Sequence, residues 1–389
     1  MSQRDANVHG AHSSPVSTRV DERAVATTRG VSVQAETMRT VGTCGGIPHL
    51  QTILPQDSMP ILCNYYLTYR CNAFCDFCSF GNHENHRKSG LASTEHVLSN
   101  IAALRELRVR FIDFTGGEPL LHRDLPIILH AAKQAGLQTS ITTNALLYPR
   151  MSKELKGLVD LLHFSLDSSE KAEHDRSRGV PCFDAVIESL GIARSLGETP
   201  DIIFTVTNEN YRRLEGVYRI ARTYGSQLLI NPIFGYFRRE YLNDDALEYI
   251  EDFSRKPMTY LNPSFVALRR QGGNNTAKPM CKAVSRVVVI SPDNEILLPC
   301  YHLHFEKIPI RESLVDAYRN KRIAWHRVQE GRHEMCSGCT INCYFEPSFA
   351  FPVNSLAIAS IPSKVRYGFN KYLKQPFLLS RTQGQPPMV

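Results

Sequence analysis

Residues Arg70 to Phe80 read RCNAFCDFCSF, which sets Cys71, Cys75 and Cys78 in a C-x3-C-x2-C array with Phe77 just before the last cysteine. Thiolates this close together can converge on one metal centre from a single loop. They are soft ligands, and in such a group they select zinc or an iron–sulfur cluster over magnesium or calcium. A structural zinc site wants four closed ligands, commonly as two pairs. No fourth cysteine lies nearby, and His83 and His86 fall in a polar stretch that reads as loop. Three ligands suit a [4Fe–4S] cluster whose fourth iron stays open for another molecule.

Outward from this loop the pattern is regular. Residues 61–67 have the aromatic and β-branched content of a strand that delivers the cysteine loop at its C-terminal end. Further strands are expected at 111–115, 138–143, 161–166, 202–207 and 228–233, with helices between them at 93–107, 125–135, 151–159, 183–196 and 211–224. Strands alternating with helices over about 170 residues argue for repeated βαβ units and a parallel sheet. The units are fewer than a closed eight-stranded barrel needs. Ligand sites on such sheets lie at the carboxyl ends of the strands. Gly116-Gly117-Glu118-Pro119, Thr143-Asn144, Ser165-Leu166-Asp167 and Asn231-Pro232 all sit there. Glycines let a backbone approach a ligand closely, and a carboxylate can pair with an ammonium.

The cysteine array with its aromatic residue, followed one strand later by the GGEP run, resembles the radical S-adenosylmethionine (SAM) enzymes. The resemblance implies an α/β fold, a partial (β/α)6 TIM-like barrel. It implies a [4Fe–4S] cluster on Cys71, Cys75 and Cys78, with Phe77 beside it and SAM on the open iron. Gly116, Gly117 and Glu118 would hold the SAM amino group, and Asn144, Ser165 and Asp167 its ribose and carboxylate. His174-Asp175-x-x-Arg178-Gly179 resembles the HDxxRG segment of many members, which makes Arg178 a candidate partner for a carboxylate. The implied reaction is reductive cleavage of SAM to a 5′-deoxyadenosyl radical that abstracts hydrogen from a substrate.

A second cysteine group follows. Cys281 precedes a hairpin of residues 287–290 and 295–299 joined by Ser291-Pro292-Asp293-Asn294, Cys300 closes it, and Cys336-x-x-Cys339 and Cys343 complete the set. The layout resembles the SPASM and twitch extensions of radical SAM enzymes, which carry auxiliary [4Fe–4S] clusters, and is nearest the shorter twitch form. Asn294 stands where that family usually has glycine, and the cysteines are fewer than a full SPASM set. One auxiliary cluster on four of the five is the expectation, with the spare one open and a structural zinc as the alternative. Cys44, Cys63 and Cys182 stand apart and are assigned no role.

The expected organisation is a flexible polar tail at 1–45, the barrel at 58–235, a connector at 236–278, the small cysteine-rich C-terminal extension at 279–350 and a basic, apolar tail at 351–389. The chain has 389 residues, 42% hydrophobic, enough for a substantial core. Its cysteines bunch in metal-like groups rather than in a secreted disulfide pattern, so a reducing cytoplasm is the expected compartment. No apolar run is long enough for a membrane span. The net charge of +7 is spread out and gives no expectation of nucleic acid. Expected partners are a peptide or small-molecule substrate and an electron donor such as flavodoxin or ferredoxin.

The tail beyond Phe351 has no acidic residue and interleaves Lys364, Arg366, Lys371, Lys374 and Arg381 with large apolar side chains. That composition allows contact with a membrane surface. The expected state is a tail packed over the barrel with its charges solvated. The competing reading of the whole chain is a non-catalytic zinc scaffold built on both cysteine groups.

Overall fold

The computed structural model describes residues 59–234, 241–349 and 355–377. The expected N-terminal tail, residues 236–240 of the connector, and residues 351–354 and 378–389 of the C-terminal tail, Arg381 among them, lie outside the described residues. The expected strands are present as β1 (Leu62–Thr68), β2 (Phe111–Gly116), β3 (Gln138–Thr143), β4 (Leu161–Ser165), β5 (Asp201–Val206) and β6 (Leu228–Pro232). A short helix α1 (Glu84–Arg87) forms where loop was expected. It is followed by α2 (Thr94–Glu106), α3 (Leu125–Gln134), α4 (Tyr148–Leu155), α5 (Lys171–Arg178), α6 (Phe183–Ser195) and α7 (Leu214–Tyr224). Helix α4 starts and ends earlier than its apolar spacing suggests. Pro149 fits its first turn, and Gly157, at φ +74°, follows its end.

The expected connector contains α8 (Asp244–Phe253), β7 (Thr259–Tyr260) and α9 (Pro263–Arg270). A two-residue strand has no alternation to read, which hid β7 in the sequence. The remaining elements are α10 (Ala283–Arg286), β8 (Val287–Ile290), β9 (Glu295–Leu298), β10 (Glu306–Pro309), α11 (Leu314–Tyr318), α12 (Lys321–Gln329), α13 (Asn342–Phe349) and α14 (Ser355–Phe369).

The ten strands among the described residues form one sheet in the order β10-β9-β8-β1-β2-β3-β4-β5-β6-β7. Its two ends do not pair, so the sheet is open and mostly parallel. The hairpin of the C-terminal part is no separate layer: β8 runs parallel to β1, with Cys63 opposite Val288 on one side and Ile112 on the other. Asn294 takes the glycine-like position of the hairpin turn at φ +60°, a conformation asparagine tolerates. Its side chain accepts from Asn100 Nδ2 at 2.7 Å and donates to the Ile310 carbonyl at 2.9 Å. The residue thus ties α2 and the β10 end to the turn.

One face of the sheet is the core: Cys63, Tyr65, Ile112, Phe114, Ile141, Phe164, Ile202, Phe204 and Ile230 pack with the helices. Parallel strands buried on both faces usually read as unbroken apolar runs. Here the opposite face of β2–β6 carries Asp113, Ser140, Thr142, His163, Ser165, Thr205 and Asn231. Burying Val or Ile at such positions would contribute about 1.5–3 kcal/mol each. The chain forgoes that gain, which marks this face as lining something other than a core.

Candidate radical SAM site

The cysteine loop leaves β1 and is pinned on every side by backbone hydrogen bonds. Phe74 N–H donates to the Arg178 carbonyl at 2.9 Å, Asp76 N–H to Ser177 at 3.1 Å and Cys78 N–H to Cys75 at 3.2 Å. Asn82 Nδ2 donates to the carbonyls of Cys75 (2.7 Å) and Cys78 (2.9 Å), closing the turn that carries both thiols. Asn82 was not singled out in the sequence, since one asparagine in a polar loop gives no signal. Burial, with the charge of Glu118 second, pushes the Cys71 thiol up to about 12. Cys75 is raised and Cys78 goes to about 11, again through burial first. Such thiols stay protonated until a metal takes the proton's place. Among the described residues no three His, Cys, Asp or Glu side chains close on one ion. A cluster does not ask them to, because each thiolate takes a different iron.

Gly116 and Gly117 are glycines because of this loop. A Cβ on Gly116, at φ +136°, would stand 1.9 Å from the Thr68 carbonyl oxygen, and one on Gly117 would stand 2.1 Å from that of Arg70 and 2.8 Å from the Cys71 nitrogen. Gly117 and Glu118 donate to Thr68 (3.0 Å) and Arg70 (2.9 Å) through their N–H groups. What the glycines approach is the cysteine loop itself.

The Glu118 side chain is buried, 1% exposed. Its Oε1 accepts from Leu120 N–H (3.0 Å) and Thr143 Oγ1 (2.8 Å), and Oε2 accepts from Asn144 N–H (2.9 Å). Burial raises its pKa to about 7. The carboxylate therefore locks the end of β3 beside the loop, and holds Asn144 so that Nδ2 lies 4.0 Å from the Cys71 Sγ.

The end of β4 approaches from the other side. Ser165 is buried there. Asp167 pairs with Arg178 Nη2 at 2.5 Å and accepts from Thr205 N–H at 2.8 Å. Arg178 is itself buried. Its Nη1 lies 3.8 Å from the Cys75 Sγ and its guanidinium 5.3 Å from the centre of the Phe77 ring. Gly179, at φ +67°, lets α5 end against Phe74. Cys182, left unassigned in the sequence, contacts His174 Nε2 at 3.4 Å, and His174 Nδ1 receives the Asp167 N–H. A cavity of about 680 Å³ opens beside this arrangement, lined by Phe77, Cys78, Asp167, Arg176, Arg213 and Phe234 among others. Asn231, in register with Thr205 of β5, accepts from Asn342 Nδ2 at 2.7 Å.

Residues 65–221 match the radical SAM superfamily, and the match spans the cysteine loop, the paired glycines and Arg178. Residues 65–221 are a radical SAM domain. Proteins with this domain are enzymes that use a [4Fe–4S] cluster and SAM. A probable GTP 3′,8-cyclase of Sulfurisphaera tokodaii is 31% identical over 192 residues, 48% of this chain and 60% of the relative. One from Saccharolobus solfataricus is 30% identical over 198 residues. The chain thus spans about three fifths of the length of these curated relatives. Among solved structures, Streptococcus suis SuiB bound to precursor peptide SuiA superposes with a TM-score of 0.57 at 17% identity, covering 74% of this chain and 73% of that one. anSMEcpe with bound AdoMet gives 0.57 at 14% identity, covering 79% and 98%. These likenesses are of fold: the radical SAM partial barrel.

Beyond the radical SAM domain, the second cysteine group is drawn from several separate segments. Cys281 lies just before α10, Cys300 after β9, Cys336 at the end of a 3-10 turn, Cys339 in a loop and Cys343 inside α13. Burial raises the thiols of Cys300 and Cys339 to about 12 and about 11, and lifts Cys281, Cys336 and Cys343. Cys281 and Cys343 pack on the apolar cluster that contains Cys300, Cys281 and Cys339 pack on the neighbouring one, and Cys339 N–H donates to the Cys336 carbonyl at 3.2 Å, so all five share one neighbourhood.

The residue that gathers these segments is Asn274, in the run Gly272-Gly273-Asn274-Asn275. Its Nδ2 donates to Gly331 (2.8 Å) and Cys336 (3.1 Å), and its Oδ1 accepts from Met280 (3.2 Å) and Cys281 (3.4 Å) N–H groups. Gly273, at φ +82°, leaves 2.3 Å between a would-be Cβ and the Gly338 oxygen in the CxxC loop. Arg269, also buried, donates to Pro232, Ile233 and Thr340 and so joins this region to the end of β6.

Proposed function

We propose that this chain is a radical SAM enzyme whose substrate sits over the 680 Å³ cavity at the C-terminal ends of β4–β6. The observation that carries the reading is the fit between the C-x3-C-x2-C loop and the two glycines that no side chain could replace beside it. Cys71, Cys75 and Cys78 would hold the catalytic cluster. When bound, cluster and SAM together supply a 5′-deoxyadenosyl radical for hydrogen abstraction. The chain's own residues fix the site. Glu118 holds the end of β3, Asp167 orients Arg178, and Arg178 places a positive charge beside the Cys75 sulfur. Phe77 covers the guanidinium on its cavity side.

Four of Cys281, Cys300, Cys336, Cys339 and Cys343 would hold one auxiliary [4Fe–4S] cluster, built where α13 and the hairpin meet. Its place suits electron acceptance or substrate contact. Reduction would come from a flavodoxin or ferredoxin in a reducing compartment such as the cytoplasm. For the substrate, the fold of SuiB, solved with its precursor peptide, supports a peptide side chain, and the cyclase relatives support a small molecule. The cavity wall carries both signs of charge, Asp76 and Glu209 beside Arg176, with Arg213 paired to Glu173, so charge does not choose between the two.

Anaerobic reconstitution followed by iron and sulfide counting, and by a 5′-deoxyadenosine assay with dithionite and SAM, tests the reading. About eight irons are expected if both groups carry clusters, with 5′-deoxyadenosine lost in Cys75→Ala. About four irons with retained activity would leave the second group without a cluster. A colourless zinc protein that forms no 5′-deoxyadenosine would establish the scaffold reading instead.

A further inference from the structure

Helix α14 and the residues after it, through a π-helical turn at Asn370–Lys374 to Phe377, bury their polar side and expose their apolar one. The buried side is a polar cluster on Asp201, the first residue of β5, which is 0% exposed. Tyr367 Oη donates to its Oδ2 at 2.8 Å, Lys371 Nζ at 3.1 Å, and Gln375 Nε2 donates to its Oδ1 at 3.2 Å. Lys371 also donates to the Thr199 carbonyl, and Gln227 Nε2 to that of Tyr367. Nearer its start, Leu356 packs with Phe265, Phe345 and Phe349, and Lys364 pairs with Glu346 at 2.8 Å. The segment is therefore docked, as the sequence led us to expect. The Lys371 charge, however, is buried and not solvated.

The outward side is the unusual one. Apart from Ser355 and Arg366, every exposed residue between 355 and 377 is apolar or aromatic. Ile358, Ile361, Val365, Phe369, Tyr372, Leu373 and Phe377 are each more than half exposed, and their spacing keeps them on one helical stripe. Ordinary surface helices put such residues inward, and contiguous exposed patches of this kind mark interaction sites. The helix cannot roll to hide them without breaking the Asp201 cluster.

We propose that this stripe is a docking surface for an anionic lipid membrane. Charge selects that occupant. The sequence from Phe351 to Val389 holds no Asp or Glu and five Lys or Arg; Lys371 is spent on Asp201 and Lys364 on Glu346, which leaves Arg366, exposed, and Lys374, half-buried, as the described cations beside the stripe. A second copy of the chain, meeting this stripe through a two-fold contact, would set the same acid-free segment against itself. A membrane surface rich in acidic headgroups complements it, with Phe369, Tyr372 and Phe377 at the level where aromatic rings settle. No helix among the described residues is long and apolar enough to cross a bilayer, so the contact lies in the interface plane. The second half of this segment covers the N-terminal ends of β5–β7, whereas the cysteine loop and cavity lie at the C-terminal ends. The membrane would hold the enzyme by its base and leave its mouth open to water, so the substrate arrives from the aqueous side.

Anaerobic co-sedimentation of the reconstituted full chain with vesicles tests this. Vesicles with about 30% phosphatidylglycerol in phosphatidylcholine are expected to carry the protein down, and pure phosphatidylcholine much less. The triple variant Ile361→Ser/Val365→Ser/Phe369→Ser should bind about tenfold more weakly at unchanged iron content. High salt should weaken binding of the unaltered protein as well, a check that needs no variant. No sedimentation, equal sedimentation of the triple variant, or binding indifferent to lipid charge and salt would each overturn the proposal. Concentration-dependent dimerisation abolished by the triple variant, without vesicle binding, would overturn it in favour of a second copy.

Discussion

Two buried carboxylate–cation pairs sit at opposite ends of adjacent strands, Asp167–Arg178 just past β4 and Asp201–Lys371 at the start of β5. Burial and pairing are alike in both. A buried ion pair is by itself weak support for either stability or function, because desolvation offsets much of the attraction. Their neighbours separate them. Asp201 spends its oxygens on Lys371, Tyr367 and Gln375, all from one segment, and so fastens that segment to the base of the sheet. Arg178 reaches past its carboxylate to the Cys75 sulfur and the Phe77 ring, so its charge is directed at the place where the cluster would lie. The comparison teaches that position along the strand decides what the same interaction is for, as in other parallel α/β sheets.

Changes at the mouth should therefore remove chemistry at constant stability, and changes at the base should do the reverse. The largest effect is expected for Gly117→Ala. The new methyl overlaps the Arg70 carbonyl, and displacing the cysteine loop by about 1 Å should lower 5′-deoxyadenosine formation at least about a hundredfold. An unchanged rate would remove the close approach from the argument. Next, Lys371→Met leaves Asp201 buried with two neutral donors. A loss of about 3–5 kcal/mol is expected in urea unfolding, toward the lower end because those donors remain. SAM cleavage per iron should stay the same, and a fall in it would collapse the division between the two ends.

A smaller effect is expected when the mouth pair is neutralised together, in Asp167→Asn/Arg178→Gln, which leaves no unpaired charge. A cation beside the cluster favours its reduced, more negative state. Arg178 is the end of the pair that touches the Cys75 sulfur, so removing both charges together should still lower the midpoint potential, by about 60 mV, about 1.4 kcal/mol for a one-electron couple. Titration followed by electron paramagnetic resonance reads this directly, and an unmoved potential would make the pair a structural one.

The mouth was legible in the sequence because its chemistry is local. The cysteines share one loop, and each further group falls at the end of a strand that its own alternation reveals. Arg178 was legible as a candidate through the residues around it, although its partners, Asp167 and the Cys75 sulfur, are contacts that only folding makes. The base was not legible. Asp201, Tyr367, Lys371 and Gln375 come together across more than 160 positions, and a lysine amid apolar residues reads as a solvated charge. The second cysteine group lies between these cases. Its cysteines could be named from their spacing, but not Asn274, whose neighbours in the sequence suggest only a turn.

The most gradual effect is a pH dependence at the base. His163 on β4 faces Thr142 Oγ1 at 3.3 Å, Asp201 Oδ2 at 3.9 Å and the charge of Lys371. Burial lowers its pKa from 6.5 to about 4, with Asp201 opposing and Lys371 assisting. Between those values the unfolded chain binds a proton that the native chain refuses. Stability should thus fall as pH drops from 6.5 to about 4, by at most about 1.4 kcal/mol per pH unit, and the loss should level off below. Asp113 and Glu118, raised by burial to about 6 and about 7, tilt the same region the other way, because raised carboxyl groups lose stability as pH rises through their native pKa. The readable quantity is therefore the difference between the unaltered protein and His163→Gln, which keeps the hydrogen-bonding capacity and does not titrate. Urea midpoints measured across this range should show the variant gaining on the parent as pH falls. Parallel curves would mean that His163 takes up its proton in the native state, with Asp201 shared between it and Lys371.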